Sequence, residues 1–165
     1  MTRYLTQKGF TGRKMDEELK KTILEYAQPA IDSEVFKAAR KQIHHRKTTV
    51  ARHIMRVTAV AADIASKLNK EKQRVDMKDV IIAAVCHDLG IVGRYEKYRN
   101  DVECCLKHPK DSLIVAKQIY PDLNRRVEDI ILHHMFPLVP VPPRSLEGFV
   151  VIMADKIVAY HDRFD

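Results

Sequence analysis

The sequence has little of what builds sheets, disulfides or membrane spans. It contains five glycines in 165 residues and no repeated runs of alternating apolar residues, which favours helices over strands. Its three cysteines include the adjacent Cys104 and Cys105 and form no C-x-x-C motif, which is typical of a reduced, intracellular protein. No apolar run approaches membrane-spanning length, and the first ten residues lack the apolar segment of a signal peptide. We therefore expect a single-domain, all-α protein of the cytoplasm with no membrane partner.

The charge balance is basic. Lysine and arginine number 29 against 22 aspartates and glutamates, which gives a formal net charge of +7. This balance fits an anionic partner, either a phosphate or a nucleic acid, but no recognised nucleic-acid-binding motif accompanies it. Much of the excess lies in residues 37–47 and 67–74, which we interpret as hydrated helix faces and loops. Nucleic acid is therefore not the expected main partner.

The most informative stretch is Cys86-His87-Asp88-Leu89-Gly90, at the end of an apolar run over residues 80–85. That run has helical spacing, and Gly90 is typical of a helix C-terminus. His87 and Asp88 follow its apolar positions by three, four or seven residues, so both side chains are expected on the buried side. An aspartate in an apolar interior costs several kcal/mol unless it is paired or binds a metal. Two interpretations stay open, a metal site and a helix end with a hydrogen-bonded histidine.

Two further segments also direct such side chains inward. His53 lies on the apolar side of a predicted helix that begins at Thr48 or Thr49, as a metal ligand or as a core histidine with satisfied hydrogen bonds. Asp155 follows an apolar run, residues 149–154, that predicts a fully buried helix. Lys156 is adjacent to it and therefore on a different face, so metal binding explains the carboxylate better than an ion pair does.

The remaining histidines are more ambiguous. His108 precedes Pro109, which suits the first position of a helix, so His108 is either a cap or a ligand. His133 and His134 end a helix predicted over residues 123–135, where they bind a cation, shuttle a proton or face solvent. The proline-rich residues 137–144 form a rigid connector, which also places Arg144 to meet a phosphate.

Other patterns give simpler expectations. We expect Pro29 to end the first helix and a second helix to run from Glu34 to about Ile43. Residues 91–101 are predicted to form a loop over the site, with a short helix near 102–106 and a separate one from Pro109. Four polar residues are expected to be exposed: His44, His45, His161 and Asp162.

Taken together, these residues resemble the HD-domain superfamily of metal-dependent phosphohydrolases. That pattern has a histidine on one helix, a His-Asp pair ending the next and a distant aspartate on a later helix, positions that His53, His87-Asp88 and Asp155 fill. The resemblance covers residues 48–160, so residues 1–47 are predicted to be a helical extension packed on an HD domain of residues 48–165.

The resemblance implies a set of metal ligands. His53, His87, Asp88 and Asp155 would hold a first ion. Asp88 would bridge to a second ion, held by three further histidines as in the HD-GYP type: His108, His133 and His134. The Gly-Tyr-Pro of that type is replaced by Met-Phe-Pro-Leu at residues 135–138, as in small stand-alone bacterial HD proteins. Histidine with carboxylate suits one or two ions of Mn, Fe, Co, Ni or Zn.

The expected activity is cleavage of a phosphate ester, such as a nucleotide, a cyclic nucleotide or another phosphomonoester, by metal-activated hydroxide. The expected partner is thus a small phosphorylated substrate, and a homodimer is left open. Asp88, Lys156 and Arg144 are the predicted catalytic residues, and Arg144, Lys156 and Arg94 the predicted phosphate-binding ones. The alternative is a non-catalytic metal-binding module that signals through partner contacts.

Overall fold

The computed structural model describes residues 15–45, 48–72 and 74–164, and these residues form a helical bundle with one short hairpin. The elements are α1 (Glu17–Asp32), α2 (Glu34–Ala39), β1 (Ile43–His45), β2 (Thr48–Thr49), α3 (Val50–Lys70), α4 (Met77–Cys86), a 3₁₀ turn (Leu89–Ile91), α5 (Arg94–Lys97), α6 (Asp101–Ile119), α7 (Arg125–His133) and α8 (Leu146–Phe164). The all-α prediction is confirmed. Within the described ranges, no helix is both long and apolar enough to cross a membrane.

Helix α3 is the central element, and it packs most extensively against α4 and α8. Thr49 caps it by accepting a hydrogen bond from the Arg52 backbone N–H, as the sequence predicts. Asp76 caps α4 in the same way, through the N–H of Asp79. Residues of α1 and α2, such as Ile23 and Phe36, are buried in the same apolar core, while the boundary drawn at residue 47 stays a prediction.

Helix α1 does not end at Pro29, so that prediction is wrong. It continues to Asp32, although a proline inside a helix removes a backbone hydrogen bond. The Tyr120 hydroxyl compensates nearby, because it donates to the Tyr26 carbonyl at 2.8 Å and accepts from the Ala30 N–H at 3.3 Å. A tertiary contact therefore stabilises the helical turn around Pro29, where the local sequence alone predicts that the helix ends.

The predicted break before Pro109 is also wrong, because α6 is one helix that contains this proline. Asn100 caps its start, and buried residues recur at intervals of four: Cys104, His108, Ser112 and Ala116. This continuous buried face favours one helix over two. As a result His108 lies in mid-helix and is buried.

The hairpin and α8 bring two smaller corrections. Helix α2 stops at Ala39 because the chain then enters the β1–β2 hairpin, which the sequence did not predict. Helix α8 is not fully buried, since Phe149 and Met153 are 44% and 54% exposed. Only one side of α8 faces the core, and that side carries Asp155.

Candidate metal centre

Seven side chains converge at one place in the bundle, from three helices, from the segments directly after two others, and from the hairpin. They are His44 from β1, His53 from α3, His87 and Asp88 after α4, His108 from α6, His134 after α7, and Asp155 from α8. Their side chains are at most 10% exposed. Among the described residues they form three overlapping groups that could hold a metal ion: His44-His53-Asp88, His53-His87-Asp155 and Asp88-His108-His134.

Asp88 lies at the centre, with its two oxygens directed to different histidines. Oδ1 is 3.2 Å from His108 Nε2 and 3.5 Å from His134 Nε2. Oδ2 is 3.4 Å from His87 Nε2 and 3.7 Å from His53 Nε2. One carboxylate thus joins two sets of imidazoles, which is the arrangement of a ligand that bridges two ions.

Asp155 completes the Oδ2 side. Its Oδ1 is 3.2 Å from His53 Nε2 and 3.9 Å from His87 Nε2. Its other oxygen, Oδ2, accepts a hydrogen bond from the Lys156 ammonium at 3.0 Å, so the two adjacent residues do pair, against the expectation from helix geometry. Lys156 therefore stands at the edge of the cluster, with its side chain 45% exposed.

Backbone carbonyls orient three of the imidazoles. The Nδ1 atoms of His87, His108 and His134 lie 2.7, 2.8 and 2.7 Å from the carbonyls of Ala84, Cys104 and Ile131. A carbonyl only accepts, so each Nδ1 carries a proton and donates it. In a neutral imidazole each Nε2 lone pair then faces the cluster.

These lone pairs lie close together in a buried place, so a positive charge between them would stabilise the arrangement. His108 Nε2 and His134 Nε2 are 2.9 Å apart, and both face the Asp88 carboxylate. His87 Nε2 is buried without a hydrogen-bond partner among the described residues. A buried acceptor without a donor costs free energy, and divalent cations relieve that cost. The donor set therefore fits divalent metal ions.

The pKa values of the cluster residues indicate that positive charge is favoured here. Burial raises the pKa of Asp88, but His87, His108 and His134 outweigh it and hold this pKa well below its usual range. Burial lowers the pKa of His53, yet its bonds to Asp155 and Asp162 raise the pKa to about 10. In the absence of a metal ion, a proton on His53 thus supplies the positive charge that an ion would otherwise bring.

Asp162 was expected to face solvent, and this is wrong. It is 2% exposed, and its Oδ2 accepts a hydrogen bond from His53 Nδ1 at 2.9 Å, while its Oδ1 pairs with the Arg56 guanidinium. The sequence contains a signal for this contact, because Asp162 follows Asp155 by seven residues and so lies on the same side of α8. Asp162 orients His53 as the carbonyls orient the other histidines.

We expect Asp162→Asn to weaken metal binding about 10- to 100-fold, the usual effect of losing an outer partner of a ligating histidine. Titration of the metal-free protein against a chromophoric chelator measures this. Asp63→Asn is the matched control, because Asp63 is likewise a paired carboxylate on a helix, bonded to Lys67 of α3 at 2.6 Å, but lies outside the metal-ligand groups. Equal affinities in the two variants would show that Asp162 does not support the site.

His44 was expected to be exposed and is also placed differently. Its side chain is only 8% exposed, its Nε2 is 3.6 Å from Asp88 Oδ2, and its ring centroid is 4.6 Å from that of His53. The cations around it in sequence suggested a hydrated loop. The hairpin that turns its side chain toward the cluster has too few residues to show an alternating pattern.

Three predicted site residues lie elsewhere or have other partners. His133 is in none of the three groups, and its Nδ1 is 3.0 Å from Asp129 Oδ1. The Arg144 side chain is 89% exposed, and its backbone N–H donates to Asp129 Oδ2 at 2.8 Å. Arg94 pairs with Asp101 on α6. The roles given to these three from the sequence stay predictions.

Comparison with known proteins gives one match. A family model described as the HD domain matches residues 50–160, more than half of the chain. The matched segment contains every member of the cluster except His44. Searches of curated proteins and of solved structures found no match.

Proposed function

Because the chain belongs to the HD-domain family, whose superfamily comprises metal-dependent phosphohydrolases, we propose that it hydrolyses a phosphate ester with divalent metal ions. The observation that carries this proposal is the position of Asp88 between two sets of imidazoles. A metal site of purely structural type needs one closed ligand set, whereas a shared carboxylate suits a pair of ions.

The ligand types favour transition metals. Imidazole nitrogen and carboxylate oxygen together suit Mn, Fe, Co, Ni or Zn, while an all-oxygen set would favour Ca or Mg. Held by these residues, such ions would supply a water of lowered pKa and would offset charge on phosphate oxygens. The protein supplies the orientation, through the Nδ1 bonds of His87, His108 and His134.

The exposed fractions indicate the side from which a substrate enters. The side chains of His53, His87 and His134 are at most 1% exposed, whereas those of Asp88 and Asp155 are 7% and 10% exposed. Asp155 is the most exposed of the seven side chains, and the Lys156 side chain beside it is 45% exposed, so we infer that a substrate approaches from the side of Asp155. We propose that Lys156 binds the phosphate there, and that Arg94 and Arg144 are secondary candidates.

Lys156→Met is expected to raise KM about five- to tenfold, because it removes one charge-assisted contact at a half-exposed position. The bound metal should stay within twofold of wild type, since Lys156 is not a ligand. Steady-state kinetics with metal analysis measures both. Lys67→Met is the matched control, as Lys67 pairs with Asp63 on the outside of α3. An unchanged KM would show that Lys156 does not bind the substrate phosphate.

Turnover by the metal-loaded protein tests the function. The protein is stripped with a chelator, reloaded with Mn, Fe, Co, Ni or Zn, and assayed on phosphomonoesters, nucleotides and cyclic nucleotides. We expect release of phosphate or of a nucleoside monophosphate from at least one class, and no release from the stripped protein. Full metal loading without turnover on any class would instead support the non-catalytic binding module.

A further inference from the structure

We propose that His44 is an additional protein ligand of the ion on the Oδ2 side of Asp88; this rests on the metal site of the proposed function. The matched segment begins at residue 50, so the family pattern does not include this histidine. His44 comes from the hairpin that precedes the match.

The first argument is position. His44 Nε2 lies 3.6 Å from Asp88 Oδ2, and His53 Nε2 lies 3.7 Å from the same oxygen. The ligand atoms of these three residues are all within 4.8 Å of one another. Ligands that share an ion at about 2.1 Å from each are separated by roughly 3–4 Å, and both nitrogen–oxygen distances lie in this range, which supports one ion shared by the three residues.

The second argument concerns how many ions the cluster can hold. His53 belongs to two of the three groups, one with His44 and one with His87 and Asp155. Its Nδ1 is bonded to Asp162, which leaves Nε2, and this nitrogen has one lone pair. His53 can therefore bind only one ion. The two groups that share it describe one ion, and His44 is part of its ligand set.

The third argument is that the hairpin is fastened to the segment that follows Asp88. The Gln42 side chain donates to the Ile91 carbonyl at 2.9 Å and accepts from the Gly93 N–H at 2.7 Å. The Gln42 carbonyl also accepts from the Val50 N–H at 2.9 Å, at the start of α3. These bonds fix the backbone two residues before His44 against both elements that carry its neighbours. A ligand from a short hairpin needs this support.

A consequence follows for the two ions. With His44, the ion beside Asp88 Oδ2 has five candidate protein ligands: His44, His53, His87, Asp88 and Asp155. The ion beside Oδ1 has three: Asp88, His108 and His134. The second ion therefore keeps more positions for water and phosphate, so loss of His44 should change the affinity of one ion and leave the other unchanged.

The experiment measures metal binding directly, on the full chain. Zn²⁺ is titrated into wild type, His44→Gln and the control His161→Gln, which alters a histidine outside the three groups. We expect His44→Gln to weaken one of two binding events at least about tenfold, because even loss of an outer partner has that effect. His161→Gln should match wild type. Circular dichroism checks that each variant keeps its helices.

A second measurement is independent of how the variant folds. In protein with ¹⁵N-labelled histidine, the His44 Nε2 resonance of wild type should move from its metal-free position when Zn²⁺ is bound. Equal Zn²⁺ affinities together with an unmoved resonance would overturn the proposal. Turnover in that case would leave the proposed function intact. A lower Zn²⁺ affinity of His44→Gln and a shifted His44 resonance, without turnover on any substrate, would support His44 as a ligand and would contradict the proposed hydrolase function instead.

Discussion

Asp88→Asn is expected to abolish the binding of two ions and to lower the rate of phosphate-ester hydrolysis by at least about 1000-fold. Asparagine has nearly the same shape, so the change removes the charge and one of the two acceptor oxygens. Five imidazoles surround this carboxylate: those of His44, His53, His87, His108 and His134. Without its charge and its second oxygen, neither ion would have the shared carboxylate that offsets its positive charge.

The stoichiometry of bound metal distinguishes this effect from a simple loss of catalysis. Elemental analysis after gel filtration should give close to zero ions for Asp88→Asn and the wild-type number for Asp63→Asn, which alters a paired surface carboxylate. The helical circular dichroism of both variants should match wild type, since Asp88 lies in a turn after α4. Retention of two ions by Asp88→Asn would contradict the bridging role.

The parts of the site on regular helices could be predicted from sequence. Helical spacing places His53, His87 and Asp155 on buried faces, and the structure brings their ligand atoms within 4.8 Å of one another. This works because a buried helical face must meet other buried faces, and polar groups on several such faces meet in the same interior.

The parts of the fold and of the site that depend on tertiary contacts could not be predicted from the sequence. The hairpin turns His44 inward, and its strands are only three and two residues long, too short for a pattern. The Tyr120 hydroxyl, 90 residues away from Ala30, helps α1 continue past Pro29. Local rules describe the backbone cost of a proline, and they contain no information on which distant group offsets it.

Gly90 is important for a different reason from the one that the sequence suggests. The sequence suggests a helix stop, for which glycine supplies a positive φ. In the structure α4 already ends at Cys86, and among the described glycines only Gly93 has a positive φ. Gly90 lies in the 3₁₀ turn after Asp88, and its N–H donates to the Ser112 hydroxyl at 2.9 Å. Its role is close contact with α6.

Gly90→Ala is therefore expected to destabilise the protein by about 3 kcal/mol, at the upper end for an overpacked core. A Cβ at this position would lie 2.3 Å from the Ser112 nitrogen, 2.6 Å from the His108 carbonyl oxygen and 2.7 Å from the Asp111 carbonyl carbon. All three are backbone atoms of α6, so no side chain can rotate away. The turn and α6 must separate, which also moves His108 from Asp88.

Gly93→Ala is the control that separates packing from backbone strain. Its Cβ would meet only the end of the Lys97 side chain, at 3.6 Å, but its φ of 78° is unfavourable for alanine. That strain costs about 1 kcal/mol. Urea unfolding of both variants gives the two free energies of unfolding, and metal titration should show a weakened ion only for Gly90→Ala. Equal free energies of unfolding for Gly90→Ala and Gly93→Ala would mean that α6 can shift to accommodate a methyl group at little cost. The contact between the 3₁₀ turn and α6 would then not fix the position of Asp88 relative to His108.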